Sequence, residues 1–192
     1  MKPFFTYYGG KYRASTHLPA PLFDTTIEPF AGSAGYSTRY NNKRVILVEK
    51  NPVFANLWRY LIRATTQEIL ALPDIPLDAK VDDLPIHQEA RWLVGMWINK
   101  GVSRPMRSPS KWMREIGHLR GNFWGSKVRQ RIASQVDQIR HWEVLEGSYE
   151  DAPLIKAHWS VDPPYQVAGI HYPCGARQID FAHLGAWCRT LP

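Results

Sequence analysis

The residues with most chemistry to offer are Asp162, Pro163, Pro164 and Tyr165. They follow a short apolar run, Trp159-Ser160-Val161, that reads as the end of a buried strand. Two prolines stop such a strand and stiffen the turn beyond it. The residue before a proline is biased towards extended backbone, which places Asp162 at the carboxyl end of the strand. In open α/β sheets ligands bind along that edge. An acid, a rigid turn with free carbonyls and an aromatic ring suit a flat ring bearing an exocyclic amine. The carboxylate and a proline carbonyl accept the amine's two hydrogens, and the tyrosine stacks on the ring. Taken alone, the same four residues are equally a strand-ending turn with a surface tyrosine.

A second constellation lies upstream, Glu28-Pro29-Phe30-Ala31-Gly32-Ser33-Ala34-Gly35, after the β-branched run Thr25-Thr26-Ile27. Gly32 and Gly35 permit a tight turn and a close backbone approach to a ligand. A helix starting near Gly35 aims its first N–H groups at that ligand. The spacing is neither the three-glycine dinucleotide fingerprint nor a phosphate loop with its Lys-Ser/Thr. The next strand, residues 44–48, ends in Glu49, placed as acids that hold ribose hydroxyls are in nucleotide-binding α/β folds. A solvated strand end is the alternative for Glu49.

Taken together, these segments resemble those of the Dam-like DNA adenine N6-methyltransferases. The resemblance rests on Tyr7-Tyr8-Gly9-Gly10-Lys11, the Glu28-to-Gly35 turn, Glu49-Lys50-Asn51, Gly147-Ser148-Tyr149-Glu150-Asp151 and the Asp162-to-Tyr165 motif, in the family's order and rough spacing. It spans nearly the whole chain. It implies S-adenosylmethionine as methyl donor and adenine in double-stranded DNA as acceptor, and the scattered histidines add no expectation of a metal. Asp162, Pro163, Pro164 and Tyr165 are then the catalytic segment. Tyr8, Lys11, Phe30, Ala31, Gly32, Ser33, Gly35, Glu49, Asn51, Ser148 and Tyr149 border the donor, with Asp162 shared. The resemblance also implies a cytoplasmic setting in a bacterium or a phage-infected cell. Cytosine N4 and RNA adenine stay open as acceptors, since enzymes for those amines share similar motifs.

Composition agrees with this. The chain has 192 residues and a net charge of +7. Between Lys100 and Arg131 there are nine Lys/Arg against one carboxylate, Glu115, a balance of +8, while the remainder balances to −1. Trp112, Phe123 and Trp124 are interleaved with these charges. Basic residues among aromatics suit phosphate contact and stacking. The DNA-binding candidates are Arg104, Arg107, Lys111, Arg114, Arg120 and Lys127, with Tyr172 in the loop after the catalytic segment positioned to touch a flipped base. A solvated basic face and a mobile surface loop are the alternatives. The two cysteines, Cys174 and Cys188, have no metal-type spacing, the seven histidines are scattered, and no apolar run is long enough to span a membrane.

The elements that must position these groups alternate strand and helix. Strands are expected over residues 25–30, 44–49, 142–145 and 157–161. Asn51 caps a helix with Pro52 at its first position, and Phe54, Leu57, Trp58, Leu61 and Ile62 form its buried face. Residues 72–85, with three prolines, read as a connector. Helices are expected over 86–100, ended by Gly101, and over 124–141, capped by Ser126. A last helix over 181–190 is capped by Asp180. The fold class is α/β: a Rossmann-like methyltransferase sheet with an inserted, mainly helical target-recognition subdomain. Residues 1–66 and 142–192 form the catalytic and donor-binding domain and residues 67–141 the insertion. Family members continue past the last helix with further strands, so an open sheet edge is expected here. A truncated remnant that binds without turnover, a second copy or another chain covering the edge, and a smaller fold all fit that expectation.

Overall fold

The computed structural model describes residues 1–121, 123–167 and 172–192; the side chain of Arg120 is not described. Residues 168–171 of the loop after the catalytic segment and the Arg120 side chain, a DNA-binding candidate, therefore lie outside the described residues. Four strands form one parallel sheet: β1 (Thr25–Glu28), β2 (Arg44–Glu49), β3 (Trp142–Glu146) and β4 (His158–Trp159), in the order β3-β2-β1-β4. With helices on the connections, this is the Class-I, Rossmann-like S-adenosylmethionine methyltransferase topology. The register pairs Ile27 with Ile46 and Trp159, so the carboxyl ends of β1, β2 and β4 fall on one edge.

β2 reads Val45-Ile46-Leu47-Val48, all buried, as a strand covered on both faces must. Side chains alternate across the sheet. Val45 and Leu47 join the larger core with Phe4, Phe5, Phe54, Leu57 and Trp58. Ile46 and Val48 face a smaller cluster with Ile27, Ala152 and Ala157, against which Trp159 and Trp187 pack. Helix α1 (Gly35–Tyr40) follows β1, and α2 (Pro52–Arg63) follows β2. The Asn51 side chain accepts from Val53 N at 3.0 Å and Pro52 opens the helix, as expected.

Between β2 and β3 lie α3 (Thr66–Ala71), α4 (Gln88–Gly95), α5 (Lys111–Glu115) and α6 (Ser126–Val136). α3 packs on α6 and α4 on α2. Their buried residues, Ile69, Leu93 and Ile132 among them, belong to the same cluster as Trp58 and Leu47. Helix α7 (Phe181–Cys188) is last, its start capped by Asp180 through Ala182 N and His183 N.

Several elements are shorter than expected, each for a local reason. The helix expected over 86–100 ends at Gly95, because residue 106 crosses there: Met106 N donates to Gly95 O at 3.1 Å. Asn99 then bridges Ser108 O and Ser110 N and holds Trp97 and Ile98 inward without a helix. α6 stops at Val136 and passes into a tighter turn over 137–139; Ser126 is its first residue, and the cap position is Gly125. β4 holds only two residues, since β1 ends at Glu28 and offers one further bond, Ser160 N to Ile27 O at 2.9 Å. The short α3 and α5 were not anticipated; Thr65 with Glu68, and Ser110 with Met113, are their cap pairs.

Trp58 sits at the centre, fully buried, its ring 5.7 Å from Phe4, 5.3 Å from Phe5 and 5.5 Å from Trp142. Its Nε1 donates to Gly32 O at 2.8 Å, tying the core to the turn after β1. Trp58→Ala should cost about 3–5 kcal/mol of stability by urea denaturation. Trp58→Phe keeps most of the apolar ring but leaves the Gly32 carbonyl without its partner, a loss of about 1–3 kcal/mol. A Phe variant with an unchanged denaturation midpoint would show that this bond contributes nothing.

Candidate functional site

One pocket opens at the carboxyl edge of the sheet. It is bordered by Glu28 to Ser33 and Gly35 after β1, Glu49 to Asn51 after β2, Gly147 to Tyr149 after β3, and Asp162 to Tyr165 after β4. The N-terminal stretch lays Tyr7, Gly9, Gly10 and Lys11 across it, and Tyr172 to Cys174, Gln178 and Ile179 form a further wall.

The turn after β1 is pinned at each step. Ala31 N donates to Val48 O at 3.0 Å, Gly32 N to Glu49 Oε2 at 2.8 Å, and Ala34 N to Ala31 O at 2.6 Å. Gly32 has φ +46°, and a Cβ there would meet the Tyr7 ring at 3.0 Å. At Gly35 a Cβ would come within 2.5 Å of Tyr12 N. Ala34 also has positive φ, 46°, a conformation an L-residue adopts at a cost that the surrounding packing must cover.

The carboxylates differ in what holds them. Glu28 is buried and accepts from Ser37 N at 2.7 Å, so the chain's own acid occupies part of the helix start that was expected to face a ligand. Burial pushes its carboxyl up to about 7, with hydrogen bonds from Ser37 and Tyr36 pulling down and the Asp162 charge pushing up. Glu49 is raised by burial and partly restored by the Asn51 and Gly32 amides, Asn51 N lying 2.9 Å from Oε1. Both of its oxygens are anchored yet still border the pocket.

Asp162 is ion-paired to Lys11, Nζ to Oδ2 2.9 Å. Burial pushes the Asp162 carboxyl above its usual range while the Lys11 ammonium pulls against it. For Lys11 burial acts downward, but its bonds to Asp162 and Tyr165 prevail and hold it above its ordinary value. The same ammonium donates to Gly9 O at 3.0 Å and lies 4.7 Å from the centre of the Tyr165 ring. A cation thus stands between the carboxylate and the aromatic ring.

At the other end Phe30 stacks on Tyr149, centroids 5.4 Å apart at 30°. The Tyr149 hydroxyl pairs with His183 Nδ1 at 2.7 Å, and Ser148 N donates to Asp151 Oδ2 at 2.7 Å, which fixes the loop after β3. The pocket therefore runs from an aromatic end, past a fixed acid and a glycine turn, to a second acid beside a tyrosine. The lining offers aromatic rings, an acid and a glycine turn, a set compatible with S-adenosylmethionine, as the sheet topology is.

Of the residues expected from sequence, Lys11, Phe30, Ala31, Gly32, Ser33, Gly35, Glu49, Asn51, Ser148, Tyr149, Asp162, Pro163, Pro164, Tyr165 and Tyr172 all border this pocket. Tyr8 does not; it lines an adjoining cleft with Arg104, while Tyr7 faces the pocket. Tyr7, Glu28, Cys174, Gln178 and Ile179 were missed. Of these, Tyr7 and Glu28 stand in the segments that carry the resemblance, and Glu28 is also an acid at the end of a strand.

The basic segment is less exposed in charge than its sequence total. Arg107 pairs with Asp82 and Arg129 with Asp74, both acids of the 72–85 connector. Lys111 lies 3.9 Å from Glu115, and Arg114 donates to Pro109 O at 2.7 Å. Arg131 lies against Trp97, its guanidinium carbon 4.5 Å from the ring centre, and burial lowers its pKa. Lys127 and Arg104 are exposed. Among the described residues no group of three His, Cys, Asp or Glu gathers to hold a metal ion, and no helix is long and apolar enough to cross a membrane.

No protein-family model matches the chain, and no curated protein matches it in sequence.

The buried Glu28 sets a pH dependence. Its proton is favoured in the folded state, so its contribution is complete below about pH 4.5 and is lost as pH rises towards about 7. Wild-type stability should lose on the order of 3 kcal/mol across that window from this group. In Glu28→Gln the urea midpoint should lose that slope. A variant with the same slope as wild type would assign the dependence to another group.

Proposed function

We propose that this protein is a DNA methyltransferase that moves a methyl group from S-adenosylmethionine to N6 of adenine. One observation carries the reading: Asp162, its prolyl turn and Tyr165 open into the same pocket as the Gly32 turn and Glu49. An acceptor amine at Asp162 therefore meets a donor lying along β1 and β2 without either crossing protein. Residues 1–66 and 142–192 supply donor binding and chemistry in this reading. Residues 67–141 recognise the target, with Arg104, Arg107, Lys111, Arg114, Arg120 and Lys127 as the residues near phosphate.

The amine of adenine is a weak nucleophile because its lone pair is delocalised into the ring. Hydrogen bonds from N6 to the Asp162 carboxylate and to the Pro163 carbonyl localise that pair. Tyr165 stacks on the base and fixes its plane. The bound donor supplies an already activated methyl on a sulfonium, so the protein's work is alignment and exclusion of water. Duplex adenine is reached only after the base is flipped out. Lys11 must then release Asp162, because its ammonium holds the oxygen that N6 needs. Until that exchange Lys11 keeps the carboxylate ionised. After transfer, the burial that raises Asp162 lets Oδ2 hold the departing N6 proton.

The test is incubation with labelled donor and DNA, followed by nucleoside analysis. N6-methyldeoxyadenosine is expected; N4-methylcytosine or a methylated RNA base would move the acceptor to another planar amine. Asp162→Ala should abolish transfer while calorimetry still detects donor binding, and undiminished turnover in that variant would remove Asp162 from the reaction. Lys11→Gln tests the ion pair. Without the ammonium, the Asp162 carboxyl rises further, so the acid limb of the rate profile should move to higher pH. A limb that stays in place or moves lower would show that Lys11 does not hold Asp162 ionised.

A further inference from the structure

Beside the pocket lies a second, more open cleft lined by Tyr8, Val102, Arg104, Met106, Tyr172 and Pro173. Tyr172 and Pro173 border both spaces, so they share a wall. The cleft is also fixed to the chemistry by backbone. Tyr8 N donates to Val102 O at 2.8 Å, and the Tyr172 hydroxyl donates to Tyr8 O at 2.8 Å. Tyr8 is three residues from Lys11, the partner of Asp162. On its far side the loop is held by Met106 N on Gly95 O at 3.1 Å. The loop over 101–106 therefore stands at a set place relative to Asp162.

Arg104 is the charge this loop presents. It is exposed, and it forms no ion pair or hydrogen bond among the described residues. Its neighbours in sequence behave otherwise: Arg107 is paired with Asp82, Arg129 with Asp74, and Lys111 faces Glu115. A guanidinium is always charged and offers a planar fork of donors that matches a phosphate. At the rim, a Cβ on Gly101 would meet nothing within 4 Å, so the approach is clear.

We propose that this cleft holds the sugar–phosphate backbone next to the flipped nucleotide, with Arg104 binding the flanking phosphate. The inference rests on the DNA reading above and adds the place of the strand and the residue that grips it. A flipped base leaves its own backbone at the mouth of the pocket, and the shared Tyr172 wall makes this cleft the next space along that backbone. Arg104 is a positioning residue: it touches no reacting atom and acts by fixing the register of the strand.

The test is a chemical double-mutant cycle. Duplexes containing the methylated sequence are made with a neutral methylphosphonate at each phosphate flanking the target adenine in turn. For wild type, one of these should weaken binding on the order of ten-fold, the scale of a lost hydrogen bond between charged groups. Arg104→Gln should weaken binding of the unmodified duplex by a similar factor and reduce the salt slope by about one. In that variant the same methylphosphonate should cause no further loss, because the interaction is already gone. Circular dichroism and thermal melting check that the variant is folded. Full loss on methylphosphonate substitution in Arg104→Gln, or an unchanged salt slope, would overturn the assignment while leaving the DNA reading intact. A wild type that binds the donor but neither binds nor methylates DNA would overturn the reading itself and the cleft with it.

Discussion

Gly32 is held at both of its backbone polar groups, and the site is built outward from that point. Its N–H goes to Glu49 at the end of β2 and its carbonyl receives Trp58 Nε1 from the core of α2. A turn with two glycines would be soft if its bonds were spent only within itself. Here the bonds come from behind, from a half-buried acid and a buried indole. The positive φ of Gly32 and Ala34 is maintained by that support. Because Glu49 also takes the Asn51 amide, one carboxylate joins the turn after β1, the end of β2 and the cap of α2. The parallel register then sets the distance from this junction to Asp162 through β1 and β4.

The electrostatics divide the pocket. Glu28 and Glu49 are enclosed by backbone donors, and burial favours their protonated forms. Asp162 is the acid whose partner is a side-chain cation, Lys11, rather than a backbone amide. Exchange of one donor for another at an acid already desolvated costs less than desolvating the acid afresh. The surface follows the same rule of local balance. Much of the charge in the basic segment is answered by Asp74, Asp82 and Glu115, so the positive field depends on a few residues rather than on the total.

The parts of the site legible in sequence are those marked by local punctuation. Prolines after Trp159-Ser160-Val161 put Asp162 at a strand end, glycines marked the turn after β1, and Asn51-Pro52 marked a helix start. Those signals depend on the chain's own geometry, which tertiary context rarely overrides. Tyr7 and Tyr8 show the limit. The chain turns at Tyr8 and Gly9, with Gly10 N on Tyr7 O, and the motif alone does not say which of the two tyrosines faces the pocket. Cys174, Gln178 and Ile179 reach the wall only because the chain folds back from beyond β4, a long-range event with no local mark. The expected helix over 86–100 was overextended for a related reason. Its apolar pattern was real, since Trp97 and Ile98 are buried, but Asn99 and the crossing at Met106 supply the backbone and side-chain bonds that a longer helix would have made. The segment total of +8 was read correctly and overstated the field, because partners from another part of the chain are invisible to a count.

The central claim is that the Gly32 turn and Glu49 form a donor site, and titration calorimetry with S-adenosylmethionine tests it most directly. The wild-type protein should bind one donor per chain. Gly32→Val should lose that binding, because a branched side chain at this positive φ would be driven against the Tyr7 ring, 3.0 Å from the Cβ position, and would displace the pocket wall; circular dichroism identifies the folded fraction on which the comparison is made. A wild type that binds no donor, or a folded Gly32→Val that binds it with wild-type affinity, would contradict the account.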